Sequence, residues 1–148
     1  MKTLRMFLVA LLVVMSSEVR AQDAQKTLGD AKFEKAVANL MVALQSPNDG
    51  LRRSAIYQLG QFQAKKATIP LMAVLRNSTD EKSRIAAAWA LCKIGSEVGT
   101  YAVKEAVRFD DSKKVQMHSA WYYNLYVADG TFAFIPAASG STVIAEVR

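Results

Sequence analysis

Residues able to do covalent or metal chemistry are few and far apart in this sequence. Cys92 is the only cysteine and His118 the only histidine of the 148 residues. A metal site built from several histidines is therefore excluded within one chain, and a nucleophilic Cys–His pair would need these two residues. The neighbouring carboxylates Asp110 and Asp111 lie in a turn-like stretch, which is typical of helix capping. The sequence therefore predicts no catalytic, cofactor-binding or metal-binding site, and a protein that is not an enzyme.

The charge distribution argues against a nucleic-acid partner. The formal net charge is +6, of which residues 1–21 carry +2, so the remainder carries a mild +4. Lysine and arginine occur in short, separated pairs at Arg52-Arg53, Lys65-Lys66 and Lys113-Lys114. Proteins that bind nucleic acids usually concentrate these residues in one stripe. We therefore expect no nucleic-acid partner.

The segments that must position any functional residue are repeated along the chain. Residues 83–95, SRIAAAWALCKIG, have counterparts 32 residues earlier and 32 residues later. The aligned columns are Arg52/Arg84/Gln116, Ala55/Ala87/Ser119, Ile56/Ala88/Ala120, Tyr57/Trp89/Trp121 and Leu59/Leu91/Tyr123. A fixed period of this length is typical of proteins built by stacking identical units.

Each unit is predicted to be two short antiparallel helices. Before the first copy, apolar residues recur in steps of three and four from Phe33 to Leu44, which predicts one amphipathic helix. The stretch from Ser46 to Gly50 then favours a turn. Neither helix can bury its apolar stripe alone, so the units must stack. We expect an all-α solenoid of about three helix pairs over residues 33–128, with Ala87 and Ala88 buried between helices.

The repeated second helix resembles the HEAT repeat, and more narrowly the short bacterial form called the phycobilisome-lyase HEAT-like repeat. The likeness covers about residues 33–127 and is strongest in the second copy. It is carried there by Arg84, Ala87, Ala88, Leu91, Ile94 and Gly95, and in the first copy by Arg52, Ala55, Leu59 and Gly60. The third copy departs from the pattern, with Gln116 in place of the arginine and Asn124 in place of the glycine.

This resemblance implies a structural ladder and a binding role. In the family, a turn aspartate and a helix arginine hydrogen-bond between neighbouring repeats. By resemblance, Asp49 with Arg52 and Asp80 with Arg84 would take that role. The resemblance also implies a protein-binding or scaffold module that uses the face lined by second helices. The alternative is a lyase-like enzyme, or an enzyme accessory, that handles a chromophore or small molecule.

An aromatic column is the candidate partner-binding feature of that face. At 100° per residue, Tyr57 falls nearly opposite the apolar cluster of its helix, and Trp89 and Trp121 share its register. Arg53 and Lys93 would flank the column, which suits an acidic or aromatic partner. Two interpretations stay open: an exposed column that binds a partner protein, or rings that pack against the next unit.

The two ends of the chain differ from the repeats in composition. Residues 1–21 have a basic start, an apolar run and a small-residue cleavage site, which predicts an export signal in a periplasmic or secreted, bacterial protein. An uncleaved membrane anchor is the alternative. Residues 22–32 are a polar leader. Residues 129–148 are β-prone, and we leave open a hairpin over the open end of the stack, an irregular tail or a strand lent to a partner. The sequence does not indicate the oligomeric state.

Overall fold

The computed structural model describes residues 29–136 and 142–147, so the predicted signal lies outside the described residues, with most of the leader. This part of the chain forms six α-helices, a short 3-10 helix at Lys65–Ala67 and two strands. The helices are α1 Asp30–Ala43, α2 Asp49–Gln61, α3 Thr68–Asn77, α4 Glu81–Ile94, α5 Glu97–Phe109 and α6 Lys113–Tyr126. The strands are β1 Phe132–Pro136 and β2 Thr142–Glu146. None of the described helices is both long and apolar enough to cross a membrane.

Short polar turns place the helices in antiparallel pairs. Asn48, Asp80 and Ser112 precede α2, α4 and α6, and each side chain accepts a hydrogen bond from the backbone N–H three residues later. Such caps satisfy amide groups that would otherwise lack partners at the start of a helix. The connections within pairs are only residues 44–48, 78–80 and 110–112, and short connections make successive helices antiparallel neighbours. The result is three stacked pairs, α1–α2, α3–α4 and α5–α6, in an all-α solenoid.

The core lies where the pairs meet. The second helices α2, α4 and α6 pack side by side, and α3 and α5 cover them on one side. Ala87 and Ala88 are fully buried at the centre of α4, which confirms the predicted register. Fully buried larger side chains fill the remaining space: Ile56, Leu59, Leu71, Leu91, Val103 and Val115.

Two glycines have specific structural roles. A Cβ atom at Gly60 would lie 2.6 Å from Cζ3 of Trp89 and 3.0 Å from Cα of Ala90, so α2 and α4 approach this closely only because the side chain is absent. Gly95 has φ 68° and ends α4 in the left-handed conformation that glycine adopts without strain. The first glycine sets the spacing of two helices, and the second directs the chain into the next pair.

The C-terminal segment forms an antiparallel hairpin, which decides among the three structures left open by the sequence. Phe132 of β1 lies opposite Glu146 of β2. The Phe132 side chain is buried against Val107 and Ala120, and its ring meets Tyr123 edge-on at 5.5 Å between centroids. The hairpin therefore covers the third helix pair. Residues 137–141, which join the strands, lie outside the described residues.

Candidate protein-binding face

The first two members of the aromatic column pack against each other. The rings of Tyr57 on α2 and Trp89 on α4 stack with centroids 4.9 Å apart and planes 9° apart. Trp89 is partly buried and packs against the core, and its ring fills the space over Gly60. Tyr57 is half exposed and accepts a hydrogen bond from Gln61 at 2.7 Å. These two rings therefore join the first pair to the second, as the packing interpretation expected.

The third member of the column has a different environment. Trp121 on α6 is 54% exposed and contacts Tyr122 of its own helix, with ring centroids 5.2 Å apart. Leu125 and Tyr126, one turn further along, are also exposed. We call Trp121, Tyr122, Leu125 and Tyr126 the α6 patch. Aromatic and apolar side chains clustered within two helical turns are typical of interaction surfaces.

Lys93 connects this patch to the neighbouring helix. Its ammonium nitrogen lies 5.1 Å from the centroid of the Tyr126 ring, within the range of a cation–π interaction. The aliphatic part of the lysine therefore bridges α4 and α6 while its charge stays at the surface. The sequence placed Lys93 beside the column, and the structure places it against the α6 patch.

Arg84 makes the buried rung of the ladder, but its partner differs from the expected one. Its Nε donates to Oδ2 of Asp110 at 3.1 Å and its Nη2 to Oδ1 at 3.0 Å, across the boundary between the second and third pairs. Nη2 also donates to Asp111 at 3.0 Å. The hydrogen bonds that Arg84 donates to Asp110 raise the pKa of its guanidinium, although burial acts in the opposite direction. The expected pairing of Asp80 with Arg84 was wrong.

Asp80 is instead the acceptor of a second rung, donated by Arg53. Arg53 Nη1 lies 2.7 Å from Oδ2 of Asp80, and the same oxygen accepts from the amide and hydroxyl of Ser83. Burial acts to raise the pKa of Asp80, but the hydrogen bonds from Ser83 and Arg53 outweigh it and the pKa lies below its ordinary value. Arg53 was expected to flank the column as a partner-binding residue. In the structure, its guanidinium instead pairs with Asp80, which joins the first helix pair to the second.

The arginine column itself has a role within each repeat. Arg52, Arg84 and Gln116 each donate a side-chain hydrogen bond to the carbonyl oxygen six residues earlier, at 3.1, 2.9 and 2.6 Å. Arg52 also pairs with Asp49 one turn away on the same helix, so that pair does not cross between repeats. Gln116 therefore keeps the hydrogen bond to the turn carbonyl. Because its side chain is uncharged, it cannot form the ion pair with a carboxylate that Arg84 forms.

Cys92 and His118 lie in different surroundings. Cys92 is buried, and desolvation raises the pKa of its thiol to about 12, which keeps it protonated. His118 is exposed, and its Nδ1 lies 2.7 Å from the carbonyl oxygen of Lys114 on its own helix. Within residues 29–136 and 142–147, no cluster of three or more His, Cys, Asp or Glu residues could hold a metal ion.

A family model for HEAT repeats matches residues 6–92, more than half of the chain. The chain belongs to the HEAT-repeat family. No curated protein shows significant similarity to it. HEAT repeats typically mediate protein–protein interactions or form scaffolds, and the fold is typically non-catalytic. The family expectation is thus confirmed, and the narrower phycobilisome-lyase likeness stays a prediction.

The third helix pair lies beyond the matched range, and its role is visible in the structure. Its second helix α6 packs against α4, and its turn supplies the buried acceptor Asp110. Asn124, which replaces the family glycine, binds the hairpin: its amide nitrogen donates to the Phe132 carbonyl at 2.7 Å and its oxygen accepts from the Phe132 amide at 3.0 Å. Asn124, the residue that departs from the family pattern, therefore attaches the hairpin to the last helix of the solenoid.

Proposed function

We propose that this HEAT-repeat protein is an exported, non-catalytic module that binds another protein through the face formed by α2, α4 and α6, the second-helix face. The observation that carries the proposal is the exposure of Trp121, Leu125 and Tyr126 in the α6 patch. Trp121 is 54% exposed although it continues the column in which Trp89 is partly buried. Tryptophan and tyrosine contribute most to interface energies because they bury large rigid surfaces.

Two neighbouring features support a binding role for this patch. The α6 patch lies on a regular helix whose start is capped by Ser112 and whose core side buries Val115 and Ala120. Side chains on such a rigid element lose little conformational freedom when a partner binds. Lys93, whose ammonium lies over the Tyr126 ring, places a positive charge at the edge of the aromatic surface, and a polar rim around an apolar centre is usual in protein interfaces.

Capture experiments with single variants test the binding face. We expect Trp121→Ala to keep the helical circular dichroism and melting temperature of the wild type while it loses a partner captured from the exported fraction. Tyr101→Ala is the matched control, because Tyr101 is 60% exposed but lies on the first-helix side, on α5. The control should retain the partner. Unchanged capture by Trp121→Ala, or its unfolding, would contradict the proposal.

Trp89→Ala separates packing from binding. Because Trp89 stacks on Tyr57 and covers Gly60, its removal leaves a cavity, and we expect a loss of unfolding free energy of about 3 kcal/mol. A Trp89→Ala protein as stable as Trp121→Ala would show that the two tryptophans are equivalent and would contradict their assignment to different roles.

Export is supported by the basic start, apolar run and small-residue site of residues 1–21. The expected mature chain begins at Gln22. Intact-mass measurement of the protein from its native host tests this, and a mature protein that keeps residues 1–21 would contradict it.

A further inference from the structure

Carboxylates are nearly absent from the second-helix face. In α2 and α4 the only acidic residues are the first residues, Asp49 and Glu81, and α6 contains none. Basic residues recur along the same three helices, at Arg53, Lys82, Lys93, Lys113 and Lys114, as well as in the arginine column. Apart from the first residues of α2 and α4, the charged residues of the three helices that carry the aromatic column are therefore all positive.

Two of these lysines have the same position relative to a tryptophan. Lys82 precedes Trp89 by seven residues and Lys114 precedes Trp121 by seven, and both lysines are exposed. Seven residues are about two turns of α-helix and about 10 Å along its axis, so each lysine lies on the same side of its helix as the tryptophan. The second and third repeats thus each place a lysine two turns before a tryptophan, whereas the first repeat has Gly50 at the equivalent position.

The carboxylates at the border of the face already have partners. Asp80 binds Arg53, and Glu81 accepts from Ser112 and lies 3.8 Å from the ammonium of Lys114. The pair of Glu81 with Lys114 is loose, since the lysine side chain is 75% exposed. The three second helices carry seven lysines and arginines, whereas the helices and the turns that precede them carry five carboxylates. A positive excess remains beside the rings.

We infer that the partner presents an acidic segment with apolar anchor residues to the second-helix face, an inference that rests on the proposed function. An exposed ion pair contributes little to affinity, whereas a buried aromatic anchor contributes several times more. The α6 patch therefore supplies most of the affinity, and the lysines select the sign of the partner's charge and speed association.

The dimensions of the face suit a short segment. Packed helices are about 8–10 Å apart, so three second helices span about 20 Å between the outer axes. An extended chain covers this distance with about six residues at 3.3 Å each. A peptide of about 12 residues would therefore cross the aromatic column and both exposed lysines.

Two synthetic peptides of about 12 residues provide the probe, chosen to exceed the span of the face. They share leucine and phenylalanine anchors and differ only in glutamate or lysine at every other position. Fluorescence anisotropy of labelled peptides gives the dissociation constants. We expect the glutamate peptide to bind at least about tenfold more tightly at about 0.1 M salt, with the difference largely lost at about 1 M, since the screening length falls from ~10 to ~3 Å.

Charge-reversal variants test whether Lys82 and Lys114 cause the preference for the glutamate peptide. Lys82→Glu with Lys114→Glu should remove or invert the preference for the glutamate peptide. Lys32→Glu with Lys35→Glu on α1 changes the net charge equally at exposed positions away from the face, and the preference should persist. Equal binding of the two peptides to the wild type, or an equal effect of the two double variants, overturns the inference.

Vesicle binding and partner capture by the same variants distinguish an acidic protein partner from the alternatives. Binding of vesicles containing phosphatidylglycerol that depends on Lys82 and Lys114, without binding of the glutamate peptide, would assign the face to a membrane surface and overturn the inference. If Trp121→Ala loses the captured native partner while the Lys82/Lys114 variant keeps it, the binding face stands and the acidic partner is wrong. If Trp121→Ala keeps that partner, the proposed function itself fails.

Discussion

The guanidinium of Arg84 and the carboxylate of Asp110 form a bidentate ion pair that joins the second and third HEAT repeats. The two hydrogen bonds measure 3.1 and 3.0 Å, and the side chains are only 10% and 7% exposed. Asp110 also accepts from the amide of Ser112, the residue that caps α6. One carboxylate therefore sets both the repeat boundary and the turn before the helix that carries the α6 patch.

Removal of this arginine should be strongly destabilising. Arg84→Ala leaves Asp110 buried without its partner, and we expect a loss of about 3–5 kcal/mol of unfolding free energy. Arg53→Ala is the matched control, because its pair with Asp80 is more exposed, at 36% and 18%. The control should lose about 1 kcal/mol or less. Urea unfolding followed by circular dichroism measures both, and equal losses would contradict the difference in burial.

Gly60→Ala tests the close approach of α2 and α4. The new methyl group would lie 2.6 Å from the Trp89 ring and 3.0 Å from the Ala90 backbone. Overpacking of this kind costs about 1–3 kcal/mol, which exceeds the gain in helix propensity of about 1 kcal/mol. Gln58→Ala, at an exposed position of the same helix, should change stability by less than about 0.5 kcal/mol. A more stable Gly60→Ala protein in thermal unfolding would show that the helices separate without cost.

Acid should weaken the attachment of the hairpin before the helices melt. Hydrogen bonds from Lys104 and then Arg108 lower the pKa of Glu146 from 4.5 to about 2. Because the folded pKa is depressed, the stabilisation is present above about pH 4.5 and is lost as the pH falls towards 2. The protection factor of the Phe132 amide, which donates to Oδ1 of Asn124 on α6, should therefore fall over this range once the intrinsic pH dependence of exchange is divided out.

Glu146→Gln provides the control for that experiment. It removes the charge at every pH, so exchange in the strands should be faster at neutral pH and the step between pH 4.5 and 2 should shrink. Acid also acts on Asp80, whose pKa is lowered in the repeats. Strand exchange that changes only together with exchange in α4 would contradict a separate role for Glu146.

Cys92 should be unreactive in the folded protein. The thiol is buried and its pKa is raised to about 12, so almost no thiolate is present at neutral pH. We expect a disulfide reagent to modify Cys92 slowly in buffer and rapidly in denaturant, with the folded rate following the unfolding equilibrium. Modification in buffer at the rate of an unfolded cysteine would show that the thiol is accessible.

The sequence by itself determined the helices, their pairing and their register. The 32-residue period identified the repeating unit, and steps of three and four residues indicated which side of each helix faces inward. Ala87 and Ala88 were predicted to be buried, and they are buried in the structure. The apolar side of a helix is removed from water only where it faces the other helices of the stack. The same periodicity placed Tyr57, Trp89 and Trp121 in one column.

The tertiary structure decided which neighbour each of these side chains meets. The rungs Arg53–Asp80 and Arg84–Asp110 start from different columns of the repeat, so no alignment of columns predicts both. Trp89 is partly buried because it lies over Gly60 and stacks on Tyr57 of the first repeat, whereas the ring contact of Trp121 is with Tyr122 of its own helix. Helical periodicity gives the direction of a side chain from local geometry. Its partner lies 26 to 32 residues away along the chain, and only the packing of one repeat on the next brings the two together.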